Sequence, residues 1–110
     1  MPAYTLVVMS GPVEGREEEY NDWYTNQHLG DVLSVKGFTA ARRFVVANGH
    51  KASPSYMALY DIECDDPAAL LKELSKRAGT PAMPVSSAMD AASAKFTLYE
   101  AITPQVKAKG

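Results

Sequence analysis

The sequence predicts an α+β sandwich of the ferredoxin-like type, built in the order β-α-β-β-α-β. Two observations lead to this fold class. Two stretches with helical periodicity lie between predicted strands in that order. Four short runs are rich in β-branched and aromatic residues, as strands are, and they cover residues 3–10, 38–47, 55–62 and 95–102. A chain of 110 residues has room for one domain, 1–110, and we expect its polar end from about residue 104 to be loose.

The first helix is predicted from about Val13 to Leu29, after the Gly-Pro turn that ends the first strand. Three glutamates at 17–19 stand near its start, where the helix dipole favours negative charge. Gly30 suits a C-terminal stop, so we expect a left-handed glycine there. Asp31 would then cap a separate short turn at Val32–Val35.

The second helix is predicted from Asp66-Pro67 to about Ala78. Proline is favoured in the first helical turn, and Gly79 suits the end of the helix. Residues 86–92 are expected to form only one or two further turns before the last strand. Both helices of this fold class lie on one face of the antiparallel sheet.

Composition and charge exclude several functional classes. The net charge is −2 and the densest basic spot is Arg42-Arg43, too sparse for a nucleic-acid partner. No apolar run approaches the roughly 20 residues of a membrane span, and the start of the chain does not look like a signal peptide. The single cysteine, Cys64, cannot form an internal disulfide and is typical of a reducing compartment. We therefore expect a cytoplasmic protein that binds neither nucleic acid nor membrane.

The strands are apolar on both faces, which two helices cannot cover. The third strand places Tyr56, Ala58, Tyr60 and Ile62 on one side and Met57 and Leu59 on the other. A sheet face exposed to water alternates apolar with polar residues, and this one does not. A second copy of the same sheet is the economical cover, so the sequence predicts a homodimer formed through the sheet faces.

The segments "EEEYNDWYTNQHLGDVLSVKGFTAARRF" and "YMALYDIE" resemble the dimeric α/β-barrel superfamily, and within it the EthD-like branch. In that branch a helix with an aromatic pair and a histidine leads through a short turn into a "GF…RRF" strand. The resemblance implies a homodimer whose two sheets face each other as a barrel, with a pocket between sheet and helices in each subunit. Relatives include lactone isomerases, polyketide cyclases and cofactor-free oxygenases, several of which use a pocket histidine and tyrosine.

The first helix carries the candidate site. At helical spacing Tyr20, Trp23, Tyr24 and Gln27 form one broad stripe, and His28 lies at its edge, one turn after Tyr24. One interpretation makes the stripe ordinary core, with His28 as its solvated end. The other has Tyr24 and His28 projecting into a pocket, where an imidazole with an ordinary pKa of about 6.5 transfers protons.

Strand two adds an arginine. Its alternation puts Phe38 and Phe44 under the helices and Arg43 among small residues on the opposite, barrel side. Arg43 could hold a carboxylate or stabilise an enolate oxygen through paired donors, or form a structural ion pair with the partner subunit. Tyr56 and Tyr60 are either core residues or pocket walls.

Together with what the resemblance implies, these residues predict a small enzyme without a cofactor that performs proton-transfer chemistry of the isomerase, cyclase or dehydratase type. The substrate would be a small apolar carbonyl or lactone compound from an aromatic-degradation or polyketide-like pathway. The proposed catalytic residues are His28, Tyr24 and Arg43, and the substrate-binding residues are Trp23, Tyr60, Tyr56 and Gln27. Alternatives are a non-catalytic carrier of such a compound and a cofactor-free oxygenase. No metal site is expected, because His50 lies far along the chain from His28.

Overall fold

The computed structural model describes residues 2–110 of the chain. Four strands form one antiparallel sheet in the order β2-β3-β1-β4. The strands are β1 (Ala3–Ser10), β2 (Phe38–Val45), β3 (Tyr56–Glu63) and β4 (Lys95–Glu100). The order along the chain and across the sheet is that of the ferredoxin-like fold, so the predicted α+β class is confirmed.

The first helical segment is longer than predicted at its C-terminal end and has no break at Gly30. It consists of α1 (Glu17–Trp23), a π-helical turn (Tyr24–His28) and α2 (Leu29–Leu33), which follow one another directly. Gly30 has no positive φ, so the expected left-handed stop there is wrong. The helix continues because its next turn buries Val32 against the core. The chain turns at Gly37, which has a φ of 111°.

The second predicted helix is found as α3 (Pro67–Arg77). The Asp66 side chain accepts a hydrogen bond of 3.1 Å from the backbone N–H of Ala69, as an N-cap residue does. Gly79, with a φ of 84°, follows the end of the helix. Leu70 of α3 is buried in the core, and Leu74 of the same helix packs against the core. This helix therefore lies on the same sheet face as α1.

A β-bulge at the start of β2 reverses the predicted faces of that strand. Phe38 pairs with Ile62, but Ala40 pairs with Asp61, so Thr39 is an additional residue in β2. One extra residue moves every later side chain to the other face. Phe38 is buried as predicted, whereas Phe44 is on the outer face and 38% exposed.

The outer face of the sheet is uncovered in the single chain. Its centre is apolar, with Val7 opposite Leu59 and Met9 opposite Met57. Tyr99 of β4 extends this surface and is 57% exposed. The residues after β4, 101–110, lie outside the sheet and are all exposed. No helix in the described part of the chain is long and apolar enough to cross a membrane.

Candidate functional site

A cavity of about 200 Å³ lies between the sheet and the helices, close to the π-helical turn. Its walls are almost entirely apolar, with side chains from β1, β4, α3 and the loop that follows α3. Four residues with a ring nitrogen or a hydroxyl also line it, and they are Trp23, Tyr24, His28 and Tyr60. All four are among the substrate-binding or catalytic residues predicted from the sequence.

The π-helical turn explains how Trp23 and His28 come together. In this turn the backbone N–H of Leu29 donates to the carbonyl oxygen of Tyr24, five residues earlier. A π-helical hydrogen bond widens the turn and brings residues five apart into line, and such turns are frequent at functional sites. Trp23 and His28 are five apart, and their rings stack with centroids 4.6 Å apart. Tyr24 meets the imidazole edge-on, at 5.0 Å between ring centroids.

His28 is held as a neutral imidazole. Burial lowers its pKa to about 4, and the nearby carboxylate of Asp31 opposes that shift without overcoming it. The Nδ1 atom of His28 is buried and has no hydrogen-bond partner among residues 2–110. At neutral pH this ring therefore offers the cavity an uncharged group that can accept or donate a proton.

Two tyrosines of the cavity wall are hydrogen-bonded to each other. The hydroxyl of Tyr60, on β3, donates a hydrogen bond of 3.1 Å to the hydroxyl of Tyr24. Burial raises the pKa of both tyrosines, that of Tyr24 to about 12, so both stay protonated near neutral pH. Because the Tyr24 oxygen accepts this hydrogen bond, its own O–H can donate to a further acceptor.

The loop after α3 forms one part of the cavity wall. The indole Nε1 of Trp23 donates a hydrogen bond of 3.1 Å to the carbonyl oxygen of Pro84 in this loop. Further along, the N–H of Val13 donates to the carbonyl oxygen of Ala88 at 2.7 Å, which ties the loop to the turn after β1. Val85 and Phe96 line the cavity and are 41% and 64% exposed, so the cavity wall reaches the protein surface at these two residues.

Arg43 lies on the helix side of the sheet, so its predicted position on the barrel side is wrong. The bulge at Thr39 places it opposite Ala58, whose neighbours on that face pack against α1. Its guanidinium carbon is 4.5 Å from the ring centroid of Tyr24, and its Nη1 donates to Thr25 Oγ1 at 2.9 Å. It is not among the residues that line the cavity.

A polar cluster surrounds Arg43 on the side of Tyr24 away from the cavity. The Tyr56 hydroxyl donates to a carboxylate oxygen of Glu17 and accepts from the amide of Asn21. The hydrogen bond to Glu17 is the main reason that the pKa of Tyr56 is raised. Rings of Tyr20 and Tyr56 each lie 5.4 Å from the Arg43 guanidinium carbon. These contacts fasten α1 to the sheet.

The predicted site residues thus fall into two groups. Trp23, Tyr24, His28 and Tyr60 meet at the cavity, whereas Arg43 and Tyr56 belong to the polar cluster, and Gln27 is exposed.

Sequence reasoning did not find the cavity residues of the irregular loop, chiefly Met83 and Met89, because that segment has no periodicity to interpret. It also assigned Asp31 to a cap rather than to the surroundings of His28. No group of three or more potential metal ligands occurs within residues 2–110.

Comparison with known proteins supports the fold alone. No protein-family model matches the chain, and no curated protein sequence matches it. Among solved structures the chain is similar to a mutant of MhuD with two manganese protoporphyrin IX molecules bound per active site. The TM-score is 0.62 and the sequence identity 14%, and the alignment covers 96% of this chain and 100% of that one. At this identity the similarity establishes the ferredoxin-like fold alone. The chemistry has to be argued from the residues of the site.

Proposed function

We propose that the protein is a cofactor-independent isomerase that moves a proton within a small, neutral carbonyl or lactone compound. One observation carries this proposal: a neutral imidazole, whose Nδ1 has no hydrogen-bond partner within residues 2–110, lies in the wall of an apolar cavity, edge-on to a tyrosine. Neutral histidine and a protonated tyrosine are the groups that such a reaction needs, one to move the proton and one to hold the carbonyl oxygen.

The size and polarity of the cavity define the substrate class. An apolar cavity of about 150 Å³ is enough to bind benzene, and this one has about 200 Å³. The ligand is therefore a single substituted ring or a compound of similar size. Its walls hold no cationic side chain, since Arg43 lies behind Tyr24, so the ligand is uncharged. The cavity is smaller than the roughly 300–1,000 Å³ of most ligand pockets, so the proposed ligand is much smaller than the porphyrin bound by the MhuD mutant.

The reaction follows from the positions of the two polar groups. His28 removes a proton from the carbon next to the carbonyl, which leaves a conjugated enolate and an imidazolium. The Tyr24 hydroxyl, oriented by the hydrogen bond from Tyr60, donates to the enolate oxygen. The imidazolium then returns the same proton to the far end of the conjugated system. Atoms and electrons balance, and no oxidant or cofactor takes part.

A carrier that binds the same compound without turnover is the second candidate. The apolar walls favour protection of a bound molecule as much as catalysis. The two functions differ in one measurable respect. Substitution of a cavity residue in a carrier lowers the affinity for the compound, but there is no catalytic rate to lower.

The test uses α-angelica lactone, a neutral five-membered lactone whose double bond moves into conjugation when a proton shifts. We expect the protein to accelerate this isomerisation, followed by ultraviolet absorbance, and His28→Gln to lower kcat by about 10²–10⁴-fold, the usual contribution of acid–base catalysis. His50→Gln, in an exposed loop, is the matched control and should keep the full rate. Binding of the lactone without isomerisation by the unmodified protein would favour the carrier, and an unchanged rate in His28→Gln would exclude the proposed mechanism.

We also propose that the protein is a homodimer in which the outer sheet faces of two copies pack together, as the EthD-like resemblance implies. The support is the uncovered centre formed by Val7, Met9, Met57 and Leu59, which has Arg42 and Asp61 at its edge. An apolar centre with a polar rim is typical of protein interfaces.

Sedimentation velocity at micromolar concentration tests the assembly. The unmodified chain should sediment as a dimer, and Leu59→Lys, which places a charge in the centre of the face, should give a monomer. Glu18→Lys, on the exposed side of α1, is the control and should remain dimeric. A monomeric unmodified protein would contradict the proposed assembly and would leave the cavity chemistry untouched.

A further inference from the structure

Asp31 and His28 each carry a buried polar atom without a partner. The atoms are Oδ2 of Asp31 and Nδ1 of His28, and neither has a hydrogen bond within residues 2–110. A third such atom, Nη2 of Arg43, lies on β2, whereas Asp31 and His28 are neighbours in one helical segment. Buried side-chain polar atoms are nearly always hydrogen-bonded, so these two neighbouring unpaired atoms require an explanation. One is an acceptor and the other can be a donor, so a single hydrogen bond between them would satisfy both.

The helix brings these two residues onto the same side. His28 is the last residue of the π-helical turn, and Asp31 lies three positions later in α2. Residues three apart on a helix have Cβ atoms about 5–6 Å apart. A carboxyl and an imidazole at that separation meet through a rotation of the side chains or through one bridging water.

Few other groups compete for the imidazole. Trp23 stacks on its face and Tyr24 meets it edge-on, both from its own helical segment. Tyr60 is the titratable residue that β3 contributes to the cavity wall, while β1, β4, α3 and the following loop contribute apolar side chains there. Asp31 is the one charged group within residues 2–110 that acts on the pKa of His28, so it is the carboxyl placed to orient the ring.

We propose that Asp31 is the positioning residue of His28: its carboxyl accepts a hydrogen bond from Nδ1–H and thereby leaves Nε2 as the proton acceptor that faces the ligand. This inference rests on the proposed function, for which it assigns the tautomer. The nitrogen that carries the proton is set by the hydrogen bond that the other nitrogen makes. Catalytic hydrogen bonds are often long without ligand and shorten when the ligand binds, which accounts for the orphaned atoms.

The direct test is the ¹⁵N spectrum of the His28 ring in the unmodified protein at pH 7, with and without α-angelica lactone. The proposal expects the Nδ1–H tautomer, more fully populated with the lactone bound. An Nε2–H tautomer in the lactone complex would overturn it, whatever happens to activity. This measurement needs no variant and so does not depend on the folding of one.

Variants of Asp31 supply a second test. Asp31→Asn should lower the His28 pKa further, because it removes the negative charge that raises it, and should mix the two tautomers. It should reduce kcat for the lactone by about 10–100-fold and leave KM nearly unchanged. This loss is smaller than the 10²–10⁴-fold loss expected for removal of the general base, His28. Asp31→Glu should recover part of the rate. Asp22→Asn, an exposed acid in α1, is the control and should change none of these quantities.

The outcomes separate this inference from the proposed function. If His28→Gln abolishes isomerisation while Asp31→Asn leaves the rate, tautomer and pKa unchanged, the positioning role is excluded and the proton-transfer function stands. If His28→Gln keeps the rate, the function falls, and the tautomer in the lactone complex still decides whether Asp31 orients the ring.

Discussion

Tyr24 separates two regions that the sequence groups into one site. On one side is an apolar cavity, where Trp23 stacks on a neutral His28. On the other side the guanidinium of Arg43 lies against the same tyrosine ring, 4.5 Å from its centroid, within a hydrogen-bonded cluster. One region offers a ligand uncharged hydrogen-bonding groups, and the other holds a positive charge away from it.

The difference indicates how each region contributes. Under the proposed function the cavity would select a ligand by shape and by its lack of charge, because the lining residues described, all within 2–110, include no lysine, arginine or carboxylate. Arg43 acts on the cavity through two tyrosines of its wall, Tyr24 and Tyr60, because its charge lowers the pKa of each, although burial raises both pKa values more. The polar cluster also fastens the helix whose π-helical turn forms the cavity wall.

The largest expected effect concerns ligand charge. Levulinate is the ring-opened, anionic counterpart of α-angelica lactone and has nearly the same atoms. Burying an unpaired carboxylate costs several kcal/mol, so its affinity should be weaker by about 100-fold or more. Isothermal titration of both compounds measures this ratio. Equal affinities for levulinate and the lactone would mean that Arg43 contacts the ligand and that both regions belong to one binding site.

Acid should destabilise the protein through protonation of His28 in the cavity wall. Since burial lowers the His28 pKa from 6.5 to about 4, the unfolded chain binds a proton in this pH range that the folded chain does not. The stabilisation is complete above pH 6.5 and is lost as the pH falls towards 4. Its full size is on the order of 3 kcal/mol.

Urea unfolding of the protein and of His28→Gln between pH 4 and 7 measures that contribution. The variant should lose less stability on acidification, and His50→Gln should behave like the unmodified protein. Parallel curves for His28→Gln and the unmodified chain would show that the ring is not held neutral.

Removal of the positive charge should affect stability more than binding. Arg43→Met loses the hydrogen bond to Thr25 and the contacts with three tyrosine rings, so the free energy of unfolding should fall by about 1–2 kcal/mol. Lactone affinity should change by less than about threefold. Arg42→Met, on the outer face, is the control for unfolding at low protein concentration. A large loss of affinity at unchanged stability would assign Arg43 to the cavity.

The smallest effect tests the helix that joins the two regions. Gly30 is inside a continuous helix, and a Cβ atom there meets nothing within 4 Å. Gly30→Ala should therefore stabilise the protein by about 0.5–1 kcal/mol. Gly37→Ala is the contrasting variant and should destabilise it, since the residue has a positive φ and the new Cβ would overlap Leu70. A lower melting temperature for Gly30→Ala would indicate that the helix ends there after all.

The sequence was sufficient for the fold because each strand and α3 carries its own local signal. Strand β1 is a β-branched run that ends at Gly11-Pro12, and α3 begins at an Asp-Pro cap and ends before a glycine. Gly30 misled the prediction of the first helical segment, because a glycine signals a stop only when the next residues are not needed in the core. Here Val32 is needed, and the helix continues to bury it.

The site was predictable only in part. The spacing of Trp23, Tyr24 and His28 along one helix correctly predicts that these residues lie together. No sequence pattern predicts the π-helical turn that stacks Trp23 on His28. Arg43 was assigned to the wrong face because a bulge at Thr39 adds one residue to β2, and alternation cannot show such an insertion.

Titrating ¹⁵N-labelled protein with α-angelica lactone tests the central claim most directly, that a neutral ligand binds beside His28 and not at Arg43. The His28 ring nitrogens and the Arg43 Nε–H report on the two sides of Tyr24 in the same sample. We expect the His28 signals to shift in proportion to bound lactone, while the Arg43 signal keeps its position. A shift of the Arg43 signal with unmoved His28 signals would contradict the account.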